Sequence, residues 1–362
     1  MKIAYLINYP IDKPDGVIDK VKAQISEWRN LGNEVEIFAL FSDVKYPVLE
    51  AKQYSISNSI ARKLTLCRSL ISNIKAFSPD LVYFRYTYWN RSLSYIQKRY
   101  INIVEINTDD IYELWLNFIT KKSLRNFIKV LLNLVLRIPV LKNANAIITV
   151  TYELANNQHF TKFNIPIMTC PNSYNMRKNI NRKNIANLSE TNSLFFIGSP
   201  NQAWHGTDII EILAKKIPLF NFHIVGVKGI SHDNIYYHGY LQEKDYLPIM
   251  QQCCICIGTL ALFRKNLREA CPLKVREYLA RGFPVIIGYK DTIFVNKQTP
   301  NWILELDVRS NKIDINKIIE FVQKNRNRIV QKEEVAPYIS SSIIEKQRVK
   351  FFEEIVYENI NS

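Results

Sequence analysis

Two kinds of apolar pattern alternate along the chain. Short apolar runs at Lys2 to Asn8, Glu34 to Leu40, Asp80 to Tyr86, Ile101 to Ile106 and Asn145 to Thr151 read as buried strands. Between them, apolar residues recur at helical spacing, as Val21, Ile25 and Trp28 do within Val17 to Leu31. Gly32 closes that helix, and Ser78-Pro79 closes another predicted over Ile60 to Phe77. A second series begins at Ser193 to Ile197 and continues with strands at Phe222 to Val227, Ile235 to Tyr240, Cys254 to Leu260, Val285 to Ile287 and Trp302 to Leu306. Helices are predicted over Asp208 to Lys216, Tyr246 to Gln252, Ile313 to Val330 and Ile343 to Ile360. Strand and helix in alternation predict an α/β protein with parallel, doubly wound sheets. The polar, aperiodic run Tyr174 to Thr191 reads as a linker. The expected domains are therefore residues 1–175 and 190–342, with 343–362 as a closing helix.

A length of 362 residues suits two domains, and an apolar fraction of 47% supplies two cores. No apolar run is long enough to span a membrane, and the N-terminal strand lacks the features of an export signal. The expected place is the cytoplasm. Cys253, Cys254 and Cys256 cluster on a predicted buried strand, without zinc spacing, and read as reduced core cysteines. Asp109 and Asp110 are adjacent and form no Asp-x-Asp metal motif. The net charge of +15 admits nucleic acid, an anionic membrane or anionic substrates as partners. Trp115 to Leu141 mixes Phe, Ile, Leu and Val with Lys121, Lys122, Arg125, Lys129 and Arg137. Such a helix suits a membrane surface, and equally a core with a basic edge.

One stretch carries the candidate chemistry. Pro272 suits a helix start, and Leu273, Val275, Tyr278 and Leu279 give that helix an apolar side. Gly282 and Pro284 end it before the strand Val285 to Ile287. Glu269 lies in the loop before the helix, and Glu277 lies inside it. The unpaired amides between them favour an anion, and Lys274 and Arg268 add charge. Carboxylates flanking an anion site suit a ligand with a phosphate centre and hydroxyl-rich ends, such as a nucleotide-sugar.

This pair, with Ala280-Arg281-Gly282-Phe283-Pro284-Val285 behind it, resembles the E-x7-E signature of retaining GT-B glycosyltransferases, family 4 in particular. The resemblance implies two Rossmann-like domains facing across a cleft. It implies that Glu277 binds the donor ribose and Glu269 contacts the transferred sugar. Cys271, Pro272, Leu273, Lys274 and Arg268 would then line the donor site. Gly198, Ser199, His205 and Gly206 stand where the family has a phosphate-binding loop, with Ser199 and His205 in place of its Arg and Lys. Lys265, Arg268, Lys274 or Arg264 would supply the missing charge. Tyr240 would lie beside the nucleobase, and Pro171-Asn172-Ser173 resembles the turn closing the first domain. On the acceptor side, Asn107 stands where the family commonly has His. Gly16 is the one glycine of the first loop, which the family places against phosphates and acceptor. Arg85, at a strand end, could steady phosphates.

The resemblance implies a retaining, metal-independent transferase without a cofactor. It would act with a nucleoside-diphosphate sugar on a glycan or lipid-linked acceptor in surface polysaccharide assembly. Association with an anionic membrane fits, and no nucleic acid is expected. Two other readings stay open: a sugar-nucleotide epimerase, and a non-catalytic basic module for membrane or nucleic acid.

Overall fold

The computed structural model describes residues 1–56, 59–176, 192–309 and 313–361, so most of the predicted linker lies outside the described residues. The chain divides into two compact units, one of Met1–Ser173 with Ser341–Ser362 and one of Tyr174–Ser340.

Unit 1 is a parallel sheet of β1 (Lys2–Ile7), β2 (Glu34–Ala39), β3 (Lys52–Gln53), β4 (Leu81–Arg85), β5 (Asn102–Ile106), β6 (Ala146–Thr149) and β7 (Ile167–Thr169). The order is β3-β2-β1-β4-β5-β6-β7. The inner strands β1, β4 and β6 are buried on both faces because helices cover both, as in β1, where only Lys2 is exposed. The edge strands β3 and β7 escape the pattern because they are two and three residues long.

Two predicted helices are divided. Ile60 to Phe77 is Ile60–Leu64 and Arg68–Phe77. The apolar, basic segment is a hairpin of Asp110–Lys121 and Leu124–Lys142, turning at Lys122 with φ 42°.

The core of unit 1 centres on Trp28, Tyr5, Tyr83 and Phe352. Phe352 belongs to the C-terminal helix Ser341–Asn361, which packs on the helix Gly16–Asn30. Under these rings lies a buried ionic cluster. Lys20 meets Glu105 at 2.7 Å, and Arg348 meets Glu105 at 3.3 Å and Glu345 at 2.8 Å. Tyr83 and Trp28 add hydrogen bonds to Arg348 and Glu345. Buried charges persist only when paired and hydrogen-bonded in this way.

Unit 2 comprises β8 (Ser193–Ile197), β9 (Asn221–Val225), β10 (Ile235–Gly239), β11 (Ile255–Ile257), β12 (Glu269–Ala270), β13 (Val285–Ile287), β14 (Lys290–Asp291) and β15 (Ile303–Glu305). Six of them form a parallel sheet ordered β10-β9-β8-β11-β13-β15, and β12 pairs with β14. Two successive α/β sheets bear out the expected fold class. Cys253, Cys254 and Cys256 are fully buried beside or within β11, and all six cysteines are unbridged.

The ionic cluster makes unit 1 acid-sensitive. Burial alone would raise the pKa of Glu105, but Lys20, Arg348 and Arg85 draw it well below the carboxylate range. A carboxyl depressed on folding stabilises fully above its unfolded value of about 4.3, and that contribution is lost as pH falls below it. Glu105→Gln should cost about 3–5 kcal/mol in urea unfolding at neutral pH, and should flatten the acid limb of stability against pH.

Candidate active site

In open parallel sheets, ligands bind beyond the C-terminal strand ends where the winding reverses. The strand orders put that point between β1 and β4 in unit 1 and between β8 and β11 in unit 2.

In unit 2, β8 ends at Ile197 and the chain enters the turn Gly198 to Gly206. Close backbone approaches hold this turn. A side chain at Gly226 would meet the Gly198 carbonyl oxygen at 1.9 Å, with φ at +81°. At Gly206, φ is +73° and a Cβ would come within 3.0 Å of the Ala261 nitrogen. The amides of Leu260 and Ala261, beyond β11, donate to the carbonyls of His205 and Trp204. The loops after both central strands are thus bound together.

The helix Leu273–Ala280 closes on the same point. Its Lys274 Nζ donates to the Ile197 carbonyl at 2.8 Å, and the Ile197 amide donates to Tyr278 Oη at 2.9 Å. One residue at the end of β8 is therefore held at both its amide and its carbonyl by residues one turn apart. Arg276 leaves the opposite side as a bidentate ion pair with Asp291, both bonds 2.7 Å and both side chains fully buried. Pro272 is the cap residue and no side chain caps the helix start. Its first amides therefore keep their pull on an anion.

Glu277 lies one turn beyond Lys274. Tyr246 Oη donates to its Oε1 at 2.9 Å, Arg281 Nε donates to the same oxygen at 2.8 Å, and Arg281 also reaches Glu243. The bonds from Tyr246 and Arg281 all go to Oε1 of Glu277, whose side chain keeps 18% of its exposure. Oε2 remains for hydroxyl donors. Two more polar atoms lack partners among the described residues: Gln202 Oε1 and His205 Nδ1, both buried in the turn after β8. Orphaned buried polar atoms are uncommon and mark ligand or water positions.

No protein-family model matches the sequence, and no curated protein matches it. Solved structures do. Sucrose-phosphate synthase from Thermosynechococcus elongatus superposes over 99% of this chain and 100% of its own, with TM-score 0.69 at 12% identity. HepE of Anabaena, in complex with UDP and glucose, covers 98% and 100%, with TM-score 0.61 at 14% identity. An α-glucosyltransferase in complex with UDP and a 13-mer DNA covers 99% of both chains, with TM-score 0.68 at 12% identity.

The chain has the GT-B glycosyltransferase fold. At these identities the likeness carries the fold alone.

Within this GT-B chain, Gly198, Ser199, His205, Gly206, Pro272, Leu273, Lys274 and Glu277 all belong to the elements that meet at the unit 2 switch point. Cys271 is buried just ahead of them. His205 is no substitute for the missing cation. Burial, reinforced by the charges of Lys274 and Lys265, lowers its pKa to about 2, so the ring is neutral. It packs edge-on against Phe196. Of the expected cations, Arg264 is held in a bidentate pair by Asp208, and Lys265 lies over the Trp204 ring at 4.2 Å. Lys274 reaches the end of β8.

Glu269 is not in a loop. It forms β12, paired with Lys290 of β14, and is 7% exposed. Arg268 is exposed and lines an open pocket of about 690 Å³ with Lys290 and Arg309. Tyr240 follows the edge strand β10 and is 76% exposed.

Unit 1 differs at its switch point. Gly16 is not a loop glycine but the first residue of its helix, and Asp15 caps the amides of Val17 and Ile18. A carboxylate thus occupies the place of an incoming anion. Arg85 ends β4, and its Nη1 is buried without a partner among the described residues, as is Oδ1 of Asn8 beyond β1. Asn107 joins the ionic cluster, accepting from Lys20 at 2.8 Å and donating to Glu105 at 3.3 Å. One amide hydrogen is left for a ligand. Lys20, Tyr246 and Arg281 escaped the sequence reading, although Arg281 stands four residues from Glu277, a helical ion-pair spacing.

Desolvation lowers the pKa of Lys274 to about 7. A bound diphosphate would raise it, so binding above that pH takes up a proton. Affinity for a nucleotide-sugar should fall by up to about tenfold per pH unit between roughly pH 7 and 9. Calorimetric titration across this range should show the slope, and Lys274→Met should bind weakly without it.

Proposed function

We propose that this protein is a nucleotide-sugar glycosyltransferase that retains anomeric configuration and needs no metal. The observation that carries the reading is the uncapped helix start at the switch point of unit 2, with Lys274 and Glu277 one turn apart. The helix amides and the Lys274 ammonium would take the donor diphosphate, and Oε2 of Glu277 would accept from the ribose hydroxyls. Glu269 would orient the donor sugar, and Arg85 and Asn107 would serve the acceptor in unit 1.

In the reaction, an acceptor hydroxyl oxygen bonds to the anomeric carbon as the bond to the diphosphate oxygen breaks. The acceptor's proton passes to the departing phosphate. Attack on the face of departure retains configuration without a covalent nucleophile. The chain's contribution is to stabilise charge growing on the leaving group with preorganised donors. A cation and helix amides can fill the role a divalent metal has elsewhere. Among the described residues, no group of three or more His, Cys, Asp or Glu could hold such an ion. The acceptor is a glycan or glycolipid of surface polysaccharide assembly, and a cytoplasmic place of work goes with this reading.

The test is thermal stability with UDP, GDP, ADP, CMP and dTDP. A ligand at about 100 times its Kd stabilises the folded state by about 2.7 kcal/mol, a rise of a few degrees. One diphosphate should raise the melting temperature of the native chain. Glu277→Gln should lose most of that rise while melting close to the native value without ligand. No rise with any of the five would sink the reading. With the donor sugar in hand, transfer should persist in EDTA, and proton NMR of the product should show the donor's anomeric configuration.

A further inference from the structure

The hairpin of Asp110–Lys121 and Leu124–Lys142 presents an apolar face that the rest of unit 1 does not cover. The first helix buries none of its residues, although Tyr112, Trp115, Leu116 and Ile119 lie along it. The second buries only one side, with Val130, Asn133, Arg137, Val140 and Leu141. Eleven large apolar side chains between Tyr112 and Ile138 are exposed, Leu124 at 72% and Val135 at 66%. On the second helix, Leu124, Ile128, Leu131, Val135 and Ile138 follow one another at three- and four-residue steps, so they form one stripe. Contiguous apolar surface of this kind marks an interaction site.

The base of the hairpin is fixed. Arg137 grips Asp110 through Nε and Nη2 at 3.1 and 3.0 Å and also donates to the His159 carbonyl. Asn133 bonds Asp110 and accepts from Tyr86 at 3.0 Å. The tip is basic: Lys121, Lys122, Arg125 and Lys129 are exposed around the turn. The acidic residues of the hairpin, Asp110 and Glu113, lie at its base. Neither helix is long and apolar enough to cross a membrane.

We propose that this hairpin docks unit 1 onto an anionic lipid bilayer, its apolar stripe among the headgroups and upper acyl chains and its basic tip on the lipid phosphates. Charge selects this occupant. A second copy would bring the same basic tip and the same net charge of +15 to the contact, whereas an anionic bilayer answers both stripe and tip. The hairpin leaves β5 through Asn107 and Asp109. Docking would therefore hold the C-terminal edge of the unit 1 sheet at the headgroups. A lipid-linked acceptor fits there, a point that rests on the transferase reading, whereas docking does not.

The test uses the full chain and vesicles of equal parts phosphatidylglycerol and phosphatidylcholine, against phosphatidylcholine alone, followed by co-sedimentation. The protein should sediment with the anionic vesicles and largely remain in solution with the neutral ones. Lys121→Gln, Lys122→Gln, Arg125→Gln and Lys129→Gln together should weaken binding on the order of fivefold per charge removed. Leu131→Ser, Val135→Ser and Ile138→Ser together should abolish it with the melting temperature unchanged, since these side chains are already exposed. Brominated acyl chains should quench Trp115, read as the difference from Trp115→Phe. Failure to bind anionic vesicles overturns the proposal, as does undiminished binding by the serine variant. A solution dimer that the serine variant splits would assign the face to a second copy instead. A diphosphate that still stabilises a chain indifferent to vesicles would overturn docking and leave the transferase reading standing.

Discussion

The grip of the helix Leu273–Ala280 on the end of β8 is the constraint on which the rest of unit 2 depends. Lys274 takes the carbonyl of Ile197 and Tyr278 its amide, and the Arg276–Asp291 pair fixes the helix from behind. Burying that pair takes two charges out of water, and its net contribution to stability is small or even unfavourable. What it gives is orientation. With Arg276 committed, the helix cannot rotate without stranding a buried guanidinium, so Lys274 and Glu277 are held at one angle to the strand ends. The turn after β8 is held from the other side by Leu260 and Ala261. Rigid placement of donors before the ligand arrives is the condition under which they lower a barrier.

The two units share a sheet plan and use it differently. In unit 1, the first helix start is closed by Asp15, and the positive groups Lys20 and Arg348 are neutralised by Glu105 and Glu345. In unit 2, the corresponding ends are glycine-rich, the helix start is uncapped, and Lys274 has no carboxylate among its recorded partners. On the proposed reading, an anion would find a ready site in the second and a filled one in the first. This asymmetry comes from a few side chains, chiefly Asp15 and Glu105 against Pro272 and Lys274, on two similar scaffolds.

Much of this is legible in the sequence. Pro272, Gly282 and Pro284 bracket a helix by local backbone chemistry, and the spacing of Glu269 and Glu277 is a property of the chain itself. The readings that failed depend on partners distant in sequence. Glu269 lies in a strand only because Lys290 pairs with it, and β3 and β7 are too short to carry a period. The neutrality of His205, on which the sequence takes no side, likewise depends on burial beside Phe196 and on the charges of Lys274 and Lys265. Lys20 looks like a solvated helix residue until β5 and the C-terminal helix bring Glu105 and Arg348 to it. The break at Lys122 is a local turn, but its effect, an uncovered apolar face, is visible only in three dimensions.

The place of Arg348 and Glu345 in the chain bears on the order in which the units form. Unit 2 is a continuous segment, Tyr174–Ser340, and can close as soon as it leaves the ribosome. Unit 1 cannot. Trp28, Tyr83 and the Lys20–Glu105 pair must wait for the helix Ser341–Asn361, which is translated after all of unit 2. Until then its sheet carries an open apolar groove and an ionic cluster that lacks Arg348 and Glu345, the kind of species on which holding chaperones act. The chain is thus arranged so that the second unit matures first and the first is sealed last.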